Sequence, residues 1–171
     1  MNPLRHLRPS VLLAALITMP VAALAQSGTT ILHAPEASKL LPDAVYYAGK
    51  SANTQLRNSA GIKFADGRYV LAVLVDTSGY STSVQEKYQG YLLNESAIDI
   101  GGKPLAPGAY GIGFAGHRFV VTDIGAHDIL QAPSQHDENL QRPMPLQIIA
   151  GDAAGHYRLC LGRDCVALSR P

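Results

Sequence analysis

The chain has 171 residues, with 14 basic against 13 acidic side chains and a formal charge of +1. A balance so close to neutral, with no Lys/Arg cluster, gives no electrostatic footprint for nucleic acid or for an anionic membrane surface. Cys160 and Cys165 are the only cysteines and bound whatever sulfur chemistry the chain has.

Met1–Ser10 carries Arg5 and Arg8 and no acid, and Val11–Ala22 is almost wholly apolar. Ala23-Leu24-Ala25 then fits the small-x-small rule for signal cleavage, so an export signal is expected over residues 1–25, cut before Gln26. The apolar run falls short of the roughly 20 residues a membrane span needs; a retained anchor helix is the alternative. Gln26 is not a lipid-accepting cysteine, and Arg5 and Arg8 are not adjacent as a twin-arginine signal requires. Cleavage would leave one domain's worth of nearly neutral chain, periplasmic or secreted. No second apolar stretch reaches spanning length, so no membrane association is expected after cleavage.

Residues 26–42 are mixed in character and read as a loose lead-in to a single β domain over 43–171. Val45-Tyr-Tyr47 is rich in strand formers. Gly61-Ile-Lys-Phe64 and Tyr69–Val75 flank Asp66-Gly67, a strong short hairpin signal. A two-residue turn there would pair Phe64 with Tyr69 and Ile62 with Leu71. The unbroken run over 70–75 suits a strand buried on both faces. Ser83-Val-Gln-Glu86 has capping-box spacing. Val84, Tyr88, Tyr91 and Leu92 follow at helical intervals, which predicts one short helix near residues 83–90.

Ala97–Ile100 alternates into Gly101-Gly102, and Pro104, Pro107 and Gly108 punctuate the approach to Tyr110. Gly111–Phe114 and Arg118–Val121 predict a second hairpin. A type II′ turn at Gly116-His117 would pair Phe114 with Phe119 and Ile112 with Val121. A turn at Ala115-Gly116 is the alternative register. Pro133–Pro145 reads as a polar loop, and Leu146–Ile149 opens the last strands. Turn signals every eight to twelve residues make the fold mainly β, an antiparallel sandwich or barrel of hairpins.

The cysteines lie in Cys160-Leu-Gly-Arg-Asp-Cys165. A type II′ turn at Gly162-Arg163 would pair Leu161 with Asp164 and set Cys160 opposite Cys165. Tyr157, Leu159, Val166 and Leu168 then share one face; Arg158, Cys160, Cys165 and Ala167 share the other. In an oxidising compartment this arrangement predicts a disulfide. A redox centre wants a closer C-x-x-C at a helix start, and a metal clip wants two further ligands.

Other stretches invite chemistry. Val73-Leu-Val-Asp76-Thr-Ser-Gly79 resembles the aspartic-protease signature but has an extra residue before the glycine; a strand ending in a turn explains it as well. Gly79-Tyr-Ser81-Thr-Ser83 resembles the nucleophile elbow G-x-S-x-G, yet it lacks the last glycine and the βαβ units around it. Ser81 is therefore expected to start a helix. His127-Asp128 and His136-Asp137-Glu138 bracket a proline-containing loop. Imidazole and carboxylate groups there are the candidate ligand-binding residues, although no H-x-x-x-H spacing supports a metal. His33 and His117 read as exposed, and the eight tyrosines as half-buried strand residues. No catalytic residue, metal or cofactor is assigned.

Ile98-Asp-Ile100-Gly-Gly-Lys-Pro-Leu105-Ala-Pro-Gly108-Ala-Tyr110 resembles a hairpin of exported bacterial β-sandwich modules of the transthyretin-like or carboxypeptidase-regulatory kind. There a strand and a glycine precede L-x-x-G-x-Y at the opening of the next strand. The resemblance implies a module that binds or stiffens, and it carries over no catalytic residue. The expected function is thus a non-enzymatic binding or interaction module of the cell envelope or secreted fraction, taking a small ligand or a protein partner. The alternative is a small periplasmic hydrolase using Ser81, or a metal site near His127 and His136.

Overall fold

The computed structural model describes residues 28–171, so the export signal expected over 1–25 lies outside the described residues. In chain order the first strands are β1 (Thr30–Leu32), β2 (Ala44–Tyr47), β3 (Lys50–Lys63), β4 (Tyr69–Val75), β5 (Gly90–Asn94), β6 (Ile98–Ile100) and β7 (Lys103–Leu105). There follow β8 (Gly108–Ala115), β9 (Arg118–Thr122), β10 (Asp128–Pro133), β11 (Gln135–His136), β12 (Gln147–Ala150), β13 (His156–Leu161) and β14 (Asp164–Ser169). Two helices of one turn each complete the set among the described residues, α1 (Ala34–Ala37), which runs into a 3-10 turn at Ser38–Leu40, and α2 (Thr82–Gln85).

The strands form two antiparallel sheets. The first runs β1-β3-β4-β5-β8-β9-β10, with β2 also on β3; the second runs β12-β13-β14-β6-β7, with β11 also on β14. Alternation along the strands explains why the sheets face each other. From the first sheet Ile62, Val70, Leu92, Ile112, Phe119 and Val121 point inward; from the second come Ile98, Ile100, Leu105, Ile148, Leu159, Val166 and Leu168. Together they make one buried sandwich core. β4 is buried on both faces as its composition predicts: Val70 and Ala72 enter the sandwich, while Leu71 and Val73 pack outward with Leu41.

That outward packing corrects the reading of the N-terminal segment. Thr30–Leu32 pairs with Lys63–Gly61, and α1 and its 3-10 turn lie against β3. Ala37 is fully buried, and Leu32 and Leu41 join Leu71 and Val73 in a second apolar cluster. A segment of mixed composition is ordered here because it covers an apolar sheet face that would otherwise meet water.

The two upstream hairpin registers fared differently. In the first, Lys63 pairs with Tyr69 and Ile62 with Val70, one residue away from the expected pairing. The Gly67 amide donates to the Phe64 oxygen, and only Gly67, at φ +85°, is left-handed. This is a three-residue loop with a type I turn and a glycine bulge, the next commonest hairpin connection after the two-residue turn. In the second hairpin Phe114 pairs with Phe119 and Ile112 with Val121, as expected. Gly116 and His117 are both left-handed, at φ +57° and +61°, so the turn is type I′ rather than II′.

The helix near residue 83 is shorter than its pattern. α2 covers Thr82–Gln85 with Ser81 at the N-cap position, and the Ser83/Glu86 capping box does not form. Tyr91 and Leu92 belong to β5, bridged between β4 and β8 with Leu92 opposite Ala72 and Tyr110. Ladder pairing on both sides outweighs a helical spacing of four residues. The polar stretch Lys50–Asn58 was not legible as strand, yet it forms most of β3, paired first with β2 and then with β4. Residues 56–58 bulge out of that ladder.

Candidate functional site

The candidate residues from the sequence fall into two separate places. His127 and Asp128 stand where β10 begins, and His136, Asp137 and Glu138 lie past its other end. The six residues of β10 alone span about 20 Å. The two groups therefore do not form one site.

The second group sits beside the disulfide hairpin. Cys160 and Cys165 are bonded, with Cα atoms 4.1 Å apart, in the register Leu161 to Asp164 and Cys160 to Cys165. Gly162 takes the left-handed position at φ +57° and Arg163 does not, as a type II′ turn requires. Leu159, Val166 and Leu168 face the core, and the cysteines lie on the opposite face. They are nonetheless fully buried.

The segment after β11 runs beside the hairpin that carries them. Polar loops lie in water unless something else takes up their backbone groups, and here the hairpin does so. Arg163 Nη1 donates to the main-chain oxygens of Asp137 (3.0 Å), Glu138 (2.6 Å) and Leu140 (3.2 Å). The Asp137 amide donates to the Arg163 oxygen, and the Gly162 amide to the Met144 oxygen. Arg158 Nη1 reaches the Asp137 carboxylate at 2.7 Å, which holds that carboxyl below the usual range. The polar loop stays largely exposed, at Glu138, Asn139 and 141–145, and is strapped by these bonds to the disulfide hairpin.

Within β11, Gln135 pairs with Cys165 and His136 with Asp164. His136 Nδ1 donates to the Asp164 carboxylate at 2.7 Å, so the imidazole is oriented with its other nitrogen free. The Glu138 side chain is exposed. Beside this strap, Gly101, Pro133, Gln135, Arg158, Cys165, Val166 and Ala167 line a depression of about 260 Å³. It lies where β6 and β11 leave a gap along the same edge of β14.

At the other end of β10, His127 Nδ1 meets the Asp123 carboxylate at 3.0 Å. The Asp123 carboxylate also takes the amides of Gly125 and His127, and these bonds, the His127 amide first, lower its pKa. Asp128 is bound by Lys87 Nζ, with both carboxylate oxygens at 2.9 Å. Each candidate ligand here already has a private partner. Among the described residues, no group of three or more His, Cys, Asp or Glu side chains is placed to hold a metal ion.

The catalytic look-alikes resolve into local structure. Asp76 Oδ1 accepts the Ser78 amide at 3.0 Å, an Asx turn at the end of β4. Ser81 stands at the start of α2, and its hydroxyl lies 3.2 Å from that of Ser83.

Three of the tyrosines expected to be half-buried strand residues, Tyr47, Tyr80 and Tyr88, form a buried cluster instead. Tyr47 and Tyr88 stack with ring centroids 3.6 Å apart, and Tyr80 meets both edge-on. Tyr47 Oη lies 2.6 Å from Thr122 Oγ1, and Tyr80 donates to the Tyr47 main-chain oxygen. Burial pushes the Tyr47 and Tyr88 hydroxyls upward in pKa. The signal available in the sequence was Gly111: a Cβ there would press on the Tyr47 ring and lie 2.6 Å from Thr122 Oγ1. Tyr110 is a tyrosine corner. Its hydroxyl donates to the Ala106 oxygen at 2.9 Å, four residues upstream, and a Cβ on Gly108 would lie 2.7 Å from that hydroxyl.

Comparison with protein-family models, with curated proteins and with solved structures finds no match for this chain.

Proposed function

We propose that the chain is an exported, non-enzymatic binding or interaction module of the periplasm or secreted fraction. Its working surface is the strapped outer face of the second sheet, from Gln135 to Glu138 with Arg158. The observation that carries this reading is the fastening of residues 137–144 to the disulfide hairpin through Arg163, Gly162 and Arg158. A surface held in place before the partner arrives loses less entropy on binding. The disulfide suits an oxidising compartment, and none of the described helices is long and apolar enough to cross a membrane. The likeness of residues 98–110 to transthyretin-like modules supports the same reading.

The test is site-specific photocrosslinking in the exporting cell. A benzoylphenylalanine at Gln135 or Gln141 should yield discrete adducts, and one at Lys39 or Asp66 should not. Adducts from all four positions alike, or from none, would count against the surface. Stoichiometric fluorophosphonate labelling of Ser81, lost in Ser81→Ala, would replace this reading with the hydrolase.

A further inference from the structure

Gln131 holds two cations at once. Its main-chain oxygen accepts from Lys103 Nζ at 2.7 Å, and its side-chain oxygen accepts from Arg118 Nη1 at 3.1 Å. Neither cation has a carboxylate partner among the described residues. Residues 1–27 contain no Asp or Glu that might supply one. The acid in the same network, Asp128, is bound by Lys87 on both oxygens and reaches only the Gln131 amide.

Two like charges drawn to one residue repel each other, and neutral oxygens orient them without cancelling the charge. The outcome is a focus of positive potential in a concave place. Lys103 and Arg118 line a groove of about 410 Å³ with His117 and Pro133, and no carboxylate lines it. Its walls come from β7, the β8–β9 turn and β10. Lys103 also closes the open edge of β10, as lysines on edge strands do. Arg118 has no such duty, because it bonds the Gln131 side chain alone.

We propose that this groove binds a tetrahedral oxyanion, the phosphate or sulfate group of a small ligand. The Arg118 guanidinium keeps Nε and Nη2 for a forked contact, and Lys103 keeps two further protons. The groove is larger than a bare phosphate and leaves room for a body attached to it. It adjoins a depression that Gly116 and His117 line with His136 and Asp164, and its argument does not depend on the strapped surface.

The test is a backbone-amide NMR titration of the exported protein at low ionic strength. The probes are inorganic phosphate, glucose 6-phosphate and, as the neutral control, glucose. Phosphate should give saturable shifts at Lys103, Gly116–Arg118 and Gln131–Ala132, and glucose none. The dissociation constant should rise at least tenfold in Lys103→Gln/Arg118→Gln and remain near the parent value in Lys103→Arg. Arg118→Gln alone, which leaves the β10 edge closed, should weaken binding severalfold. Tighter glucose 6-phosphate binding would assign the groove to a phosphorylated ligand, and equal binding to the free anion. Shifts spread over remote lysines such as Lys39 and Lys63, or unchanged affinity in Arg118→Gln and the double variant, would overturn the proposal.

Discussion

Arg170 donates to the Asp66 carboxylate at 2.6 Å and so ties the tip of the β3–β4 hairpin to the residue that follows β14. The same guanidinium lies 4.8 Å from the Phe64 ring centroid. Two chain segments far apart in sequence are thus clamped at one end of the sandwich.

That clamp makes a prediction about pH. The hydrogen bond from Arg170, helped by the Arg68 amide, lowers the Asp66 carboxyl to about 2. A depressed folded-state pKa stabilises the fold above the unfolded value and loses that contribution as pH falls through the folded value. For Asp66 the window runs from about pH 4, the ordinary aspartate value, down to about 2. In Arg170→Met, carboxyl-carbon NMR should show the Asp66 pKa rising toward 4, and the acid side of the stability curve should flatten. An unmoved Asp66 titration would mean that Arg170 is not the cause.

The disulfide holds the strap more than it holds the fold. The sandwich core is built from residues of both sheets outside the Cys160–Cys165 loop. Closing so short a loop contributes on the order of 2 kcal/mol in the chain-entropy model. Native protein should show no titratable thiol. After reduction the domain should remain folded, while hydrogen exchange quickens at Asp137 and Gly162, whose amides fasten the strap. Two free thiols in the native protein, or global unfolding on reduction, would contradict this.

Gly111 should tolerate no side chain. Its Cβ would press on Tyr47 and on Thr122, both buried, whereas a Cβ on Gly79 meets nothing within 4 Å. Overpacking of this kind costs about 1–3 kcal/mol. Urea unfolding should place Gly111→Ala lower by that amount and Gly79→Ala within about 0.5 kcal/mol of the parent.

Export is checked by mass. Protein recovered from the periplasm or the medium should lack residues 1–25, because Ala23-Leu24-Ala25 fits the small-x-small rule for a cut before Gln26. A full-length mass would refute cleavage there.

The sequence by itself determined the class of fold and the register of the disulfide hairpin, and it narrowed the Gly111–Val121 hairpin to two registers. Cys160 opposite Cys165 and Phe114 opposite Phe119 were legible because glycine at a turn position and alternation in the flanking residues are local facts. The same local reasoning failed at Asp66-Gly67, where two- and three-residue loops share one composition and strand pairing decides between them. Only the tertiary structure made a strand of Lys50–Asn58, a polar stretch that borrows its order from β2 and β4. It also separated His127 from His136 by the length of β10 and gave each a carboxylate of its own. And it drew Lys103 and Arg118, distant in the chain and ordinary in the sequence, onto the two oxygens of Gln131. Convergence of this kind depends on which strands become neighbours, and that is settled by burying one apolar face against another across the whole chain.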